Sequence, residues 1–262
     1  MAQCYERPLW RVLGDVDFLL DAENYEKAKS LLSPLVTKVE NEDSRILHQG
    51  LEFDPWTVEL HGTMRTQLSS RINRGIDEAQ REVCENGGTR MWNNEGVEVL
   101  QPNPDNDIVL VFTHFLNHFY GSGIGLRQVC DWYRLLWTYG DGIDTALLES
   151  RLLAMGIMTE WQVFAAFAVD YLGLPKECMP LCLESSKMKR RATKLANWML
   201  RSGKRRHDQD GSYRTRHSKL LANCITFGHR LNEFAHIATI FPQNAPKFFV
   251  HYVFVRFKAT ML

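Results

Sequence analysis

Asp15 and Asp17 stand two residues apart in GDVDFLL (14–20), inside a short apolar run. On a strand, residues i and i+2 point to one side. Two carboxylates therefore share a face directly after Gly14, whose missing side chain lets another backbone or a ligand approach closely. A carboxylate taken out of water without a partner costs several kcal/mol. This face is either solvated or carries a cation. Hard oxygen ligands paired in this way suit Mg²⁺, which takes one or two carboxylates together with substrate phosphates. Holding two ions needs a third carboxylate, and TVELH (57–61) supplies one in Glu59, flanked by Val58 and Leu60, with His61 on the same face. Three carboxylates converging without an ion would repel one another, so metal-free protein is expected to be electrostatically strained there.

Other pairs have chemical spacing of their own. His114 and His118 are four apart in an apolar helical run, so they lie on one face. That is metal-ligand spacing, but no glutamate follows His114 as in HExxH. A structural pair, a ligand contact or a metal site all fit. Arg127 and Asp131 are also i, i+4, either as a surface ion pair or with the arginine turned to a phosphate. The formal net charge is zero, yet residues 1–100 carry 11 Lys/Arg against 18 Asp/Glu, and 187–219 carry 12 against 2. The neutrality is thus a cancellation between an acidic body and a basic stretch. Lys187, Lys189, Arg190, Arg191 and Lys194 within that stretch either form a solvated face or contact a polyanion.

The elements that must position these residues divide into two kinds. Residues 12–20 alternate as a strand and 22–35 have helical apolar spacing. Extended runs at 45–53 and 57–63 are separated by an Asp54–Pro55 turn signal. Residues 67–85 read as a surface helix stopped at Gly87–Gly88, and 89–100 as a short strand pair turning at Asn93–Asn94. From QPNPDND (101–107) onward, strand patterns give way to helical runs that end at glycine. With 262 residues there is material for two domains, and the boundary is expected near 102. Six cysteines without a CxxC pair point to reduced thiols and a cytoplasmic protein. No signal core opens the chain, and charge or histidine interrupts each apolar stretch before it is long enough to span a membrane.

The order of GDVD and a separate VELH resembles the polymerase-β-like nucleotidyltransferases. More narrowly, YERPLWRVLGDVDFLL, VELHGTM, FTHFLNHFYGSGIGLRQVCDWYRLL and the apolar tail resemble an uncharacterised bacterial nucleotidyltransferase family of that superfamily. The resemblance implies an α+β fold, with a small mixed-sheet nucleotidyltransferase domain at 1–102 and an all-helical bundle domain at 103–262. It implies Mg²⁺-dependent transfer of a nucleoside monophosphate from a nucleoside triphosphate, ATP foremost, to a hydroxyl of an unknown acceptor. Asp15, Asp17 and Glu59 would be the catalytic and metal-binding residues. Gly14, His61, His114, His118 and Arg127 would contact nucleotide or acceptor, and 187–219 a polyanionic partner.

One feature of the superfamily is missing. A Gly-Ser or Gly-Lys-Gly element normally precedes the aspartate pair, and the 14 residues before Asp15 contain none. The chain is therefore expected to be an N-terminally truncated and impaired copy. The alternative function is a catalytically silent nucleotide- or protein-binding scaffold of the same fold.

Overall fold

Alternation in the first sixty residues folds into a four-stranded mixed sheet: β1 (Asp15–Leu19), β2 (Lys38–Val39), β3 (His48–Phe53) and β4 (Trp56–His61). The computed structural model describes residues 1–11, 14–44, 46–121, 125–209, 219–251 and 253. The strand order is β1-β4-β3-β2, with β1 parallel to β4 and the other pairs antiparallel. Helix α1 (Ala22–Leu32) connects β1 to the rest, and Asp21 caps it by accepting the Asn24 backbone N–H at 2.7 Å. Leu51 and Leu60 reach one face of the sheet, where they form a buried cluster with Tyr25 of α1 and are joined by Ala28, Leu32 and Val58. Because side chains alternate, Asp15, Asp17, Glu59, His61 and His48 fall on the other face.

Helix α2 (Ser70–Glu85) begins three residues later than its sequence pattern and buries Ile72, Ile76 and Ala79 along one stripe. A separate hairpin follows, β5 (Thr89–Asn94) with β6 (Val97–Pro102). Its turn lies at Glu95–Gly96, not at Asn93–Asn94 as the sequence suggests. Both turn residues have positive φ (52° and 92°), the conformation a two-residue hairpin loop demands and glycine accommodates.

The remainder is helical: α3 (Pro104–Tyr120), α4 (Leu126–Tyr139), α5 (Thr145–Met155), α6 (Met158–Leu172), α7 (Ser186–Gln209) and α8 (Lys219–Ile240). Residues 245–251 are helical as well. The fold class is α+β, a small mixed sheet followed by helices. The chain divides into two compact units, Met1–Thr66 with Ser70–His114, and Gln67–Ser69 with Phe115–Leu262; the division falls within α3. Of the basic stretch, 187–209 lies on α7, whereas 210–218 lies outside the described residues. Among the described residues no helix is long and apolar enough to cross a membrane.

The second unit is held by aromatic packing. Trp132 meets Trp161 edge-on at 4.9 Å between ring centroids and Phe115 at 5.6 Å. Glu160, fully buried, accepts from the Tyr120 hydroxyl at 3.0 Å and from Asn244 Nδ2 at 2.9 Å. Burial pushes its carboxyl above the usual range, against the hydrogen bonds that favour the ionised form. Val129, Trp132 and Leu136 are all completely buried on one face of α4, as their spacing predicts. Truncating Trp132→Ala is therefore expected to cost about 3–5 kcal/mol in a denaturant titration. A loss below about 1 kcal/mol would show that this face does not carry the core.

Candidate functional site

Register decides what the carboxylates can do together. In the parallel pair, Asp17 stands opposite Glu59 and Asp15 opposite Thr57. In the antiparallel pair, His48 stands opposite His61, and Gly50 opposite Glu59. A side chain at 50 would collide with Glu40, whose Oε2 lies 2.6 Å from where a Cβ would be. The glycine thus makes room for the Glu40 side chain. Asp15 is exposed on β1, and Asp17 is 41% exposed at its side chain. Gly14 precedes the strand directly.

His61 is the hub of this face. Its Nε2 donates to Asp17 Oδ1 at 2.8 Å and lies 3.4 Å from Glu59 Oε2. His48 Nε2 donates to the same Glu59 Oε2 at 3.0 Å. The His48 and His61 rings are 4.8 Å apart, and His114 of α3 meets His61 edge-on at 6.1 Å. Glu59 is held well below the usual carboxylate range, by the hydrogen bond from His48 first and that from His61 second. Burial pushes the Asp17 carboxyl up, but the His61 hydrogen bond and the positive charges of His114 and His61 more than offset it, so it too is lowered. Burial opposes the charged form of His61, yet its bonds to Asp17 and Glu59 prevail and push it up to about 9.

This arrangement corrects the expectation of strain. Asp17 and Glu59 do not confront each other bare, because an imidazolium sits between them. The structure brings together Asp17, Glu59, His61 and His114, with Asp15 on the same strand face. It also adds His48, which the sequence reading did not single out. Its only local signal is a histidine in an extended run, and its pairing with His61 depends on the β3–β4 register. His118 and Arg127 belong to the second unit, on α3 and at the second residue of α4.

The electrostatics predict a pH dependence for protein freed of metal by a chelator. A histidine raised from 6.5 to about 9 contributes stability that is complete below pH 6.5 and lost as pH rises through 9. Unfolding free energy should fall by on the order of 2–3 kcal/mol across that interval, and His61→Gln should flatten the limb. Asp17 and Glu59 act with the opposite sign, contributing above their unfolded values of 3.8 and 4.5 and losing that contribution as pH falls. Urea titrations at a series of pH values measure both limbs; a wild-type curve that is flat on the alkaline side would contradict the ion pairs.

Comparison with known proteins adds one match. The family described as "Uncharacterised nucleotidyltransferase" matches residues 1–173, a span that contains β1 to β6 and every residue of the carboxylate–histidine face. Neither a curated protein nor a solved structure matches the chain. The family carries a general nucleotidyl-transfer function with a nucleotide substrate. Because the match spans 173 of the 262 residues and includes the strand pair bearing Asp17 and Glu59, this chain belongs to the uncharacterised nucleotidyltransferase family.

Proposed function

We propose that the chain transfers a nucleoside monophosphate from a nucleoside triphosphate, ATP foremost, to a hydroxyl acceptor, with Mg²⁺ held by Asp15, Asp17 and Glu59. The observation that carries this reading is the Asp17–Glu59 register pair on parallel neighbouring strands, with Asp15 two residues away on the same face. Three carboxylates on one sheet surface make an oxygen donor set that fits Mg²⁺. The bound ion would lower the acceptor's pKa and neutralise charge developing on the triphosphate.

The chain's own contribution is positioning, which is most of what phosphoryl-type transfer asks of a protein. Ladder hydrogen bonds fix the Cα positions under Asp17 and Glu59, so their carboxylates meet a cation from set directions. Both are lowered below the ordinary carboxylate value, so neither must first lose a proton at neutral pH. The same lowering makes Glu59 a poor proton acceptor. Holding the cation therefore suits Glu59 better than taking the acceptor's proton. His61 directs Nε2–H at both carboxylates and keeps them in place when no ion is bound. Exposed Lys187, Lys189, Arg190 and Lys194 on α7 would serve a polyanionic acceptor, with binding that weakens as salt rises.

Calorimetric titration of ATP with and without Mg²⁺ tests the reading, alongside incorporation of labelled nucleotide into acceptors of a host lysate. Asp17→Asn is expected to abolish Mg²⁺-dependent ATP binding. It should also lower stability in metal-free buffer, because it removes the partner of a buried imidazolium. Glu59→Gln should reduce incorporation roughly 10²-fold or more. ATP binding that ignores both Mg²⁺ and Asp17→Asn would replace transfer with the silent scaffold.

A further inference from the structure

The oxygen donors account for only one side of Glu59. Glu59 also meets nitrogen: His48 from β3 and His61, which stands between Glu59 and Asp17, each turn Nε2 to its Oε2, at 3.0 and 3.4 Å. The three ligand atoms all lie within 4.8 Å of one another. A cation with bonds of about 2.0–2.1 Å to nitrogen and oxygen separates neighbouring ligand atoms by roughly 3.0–3.4 Å in tetrahedral or octahedral geometry. The two distances to Glu59 already match that spacing. A further oxygen, Asp17 Oδ1, lies 2.8 Å from His61 Nε2 and would complete a set of four.

The backbone makes this a built arrangement. His61 and Glu59 are two apart on β4, and His48 is the register partner of His61 on β3, so all three side chains leave one sheet face from paired strand positions. None depends on a loop. The donors are half-sheltered, with side-chain exposures of 26% for His48, 25% for Glu59 and 7% for His61. An ion here would be shielded from bulk water on the sheet side while keeping open positions outward.

We propose that His48, Glu59 and His61 form a binding site for a nitrogen-preferring divalent cation of the Zn²⁺ class, distinct in donor type from the oxygen-only Mg²⁺ set and sharing with it Glu59 and, as fourth donor, Asp17. Two imidazoles and a carboxylate are the donor mixture that selects Zn²⁺, Co²⁺ or Ni²⁺ over Mg²⁺, which prefers oxygen and dehydrates reluctantly. In the metal-free state the same atoms are joined by hydrogen bonds, with protons where the ion would sit. Binding replaces those protons by the metal, and the carboxylate keeps its place.

Co²⁺ is the probe, because its visible absorption reports ligand type and geometry, and Zn²⁺ competition then gives affinity. Chelator-stripped full-length protein is expected to bind one Co²⁺ with ligand-field bands of a nitrogen-containing site, displaced by Zn²⁺ but not by a large excess of Mg²⁺. His48→Ala should weaken Zn²⁺ at least 100-fold and remove the Co²⁺ bands. His48→Asn, which keeps a polar side chain at a partly exposed position, guards against misfolding of the first variant and should give the same loss. Absence of Co²⁺ bands in wild type overturns the site. Wild-type affinity retained in both variants also overturns it, since the ion would then sit on other histidines. Titration of the wild type with Mg²⁺ and ATP separates this inference from the transfer reading. If ATP binds with Mg²⁺ and Co²⁺ gives no bands, only the histidine site falls; bands without Mg²⁺-dependent ATP binding leave the site standing and remove the transfer.

Discussion

Two carboxylates on neighbouring parallel strands require positive charge between them, and His61 provides it. The arrangement of the polar face of the sheet follows from that requirement. The imidazole lies at the end of β4, buried, with Nε2 between Asp17 and Glu59. Its proton lets two anions remain ionised at close quarters, where desolvation alone would drive at least one of them neutral. The carboxylates in turn hold that proton far above its ordinary affinity. The face is therefore electrostatically satisfied by its own groups, and any added cation would have to compete with an internal one.

The competition is arranged around Glu59, which faces two kinds of donor. Toward β1 it joins Asp17 and Asp15, an oxygen surface suited to a hard ion that also binds phosphates. Toward β3 it meets the His48 nitrogen, while His61 of its own strand stands between it and Asp17. A parallel neighbour on one side and an antiparallel neighbour on the other produce this difference. Each presents its own residues at the same height, and Gly50, directly opposite Glu59, contributes no bulk.

The sheet can tolerate such a polar face because its other face is apolar. Leu51, Leu60 and Tyr25 are buried almost completely, and α1 covers them. A one-residue slip of β4 would place Glu59 in that cluster and Leu60 in water, so the cost of burying a charge keeps the strand in register. The second unit applies the same rule differently. Its one fully buried carboxyl, Glu160 among the described residues, is fixed by Tyr120 and Asn244 at the centre of aromatic packing.

Periodicity and residue type, which are local, were enough to read the strands bearing Asp15, Asp17 and Glu59, the change to helices after residue 102, and the family resemblance. Alternation along a single strand tells which side chains share a face, and helical spacing tells which residues of α4 are core. The hairpin turn shows the limit even locally: two asparagines and the Glu95–Gly96 pair are both turn formers, and only strand pairing places the loop at the positive-φ residues. The site's balance of charge lay further out of reach. Counting residues yields three anions and predicts repulsion. Yet the field at Asp17 and Glu59 is set by His48, His61 and His114, which come from two other elements and from β4 itself. Electrostatic energy depends on distances across strands, and those distances exist only once β3, β4 and α3 have been brought together.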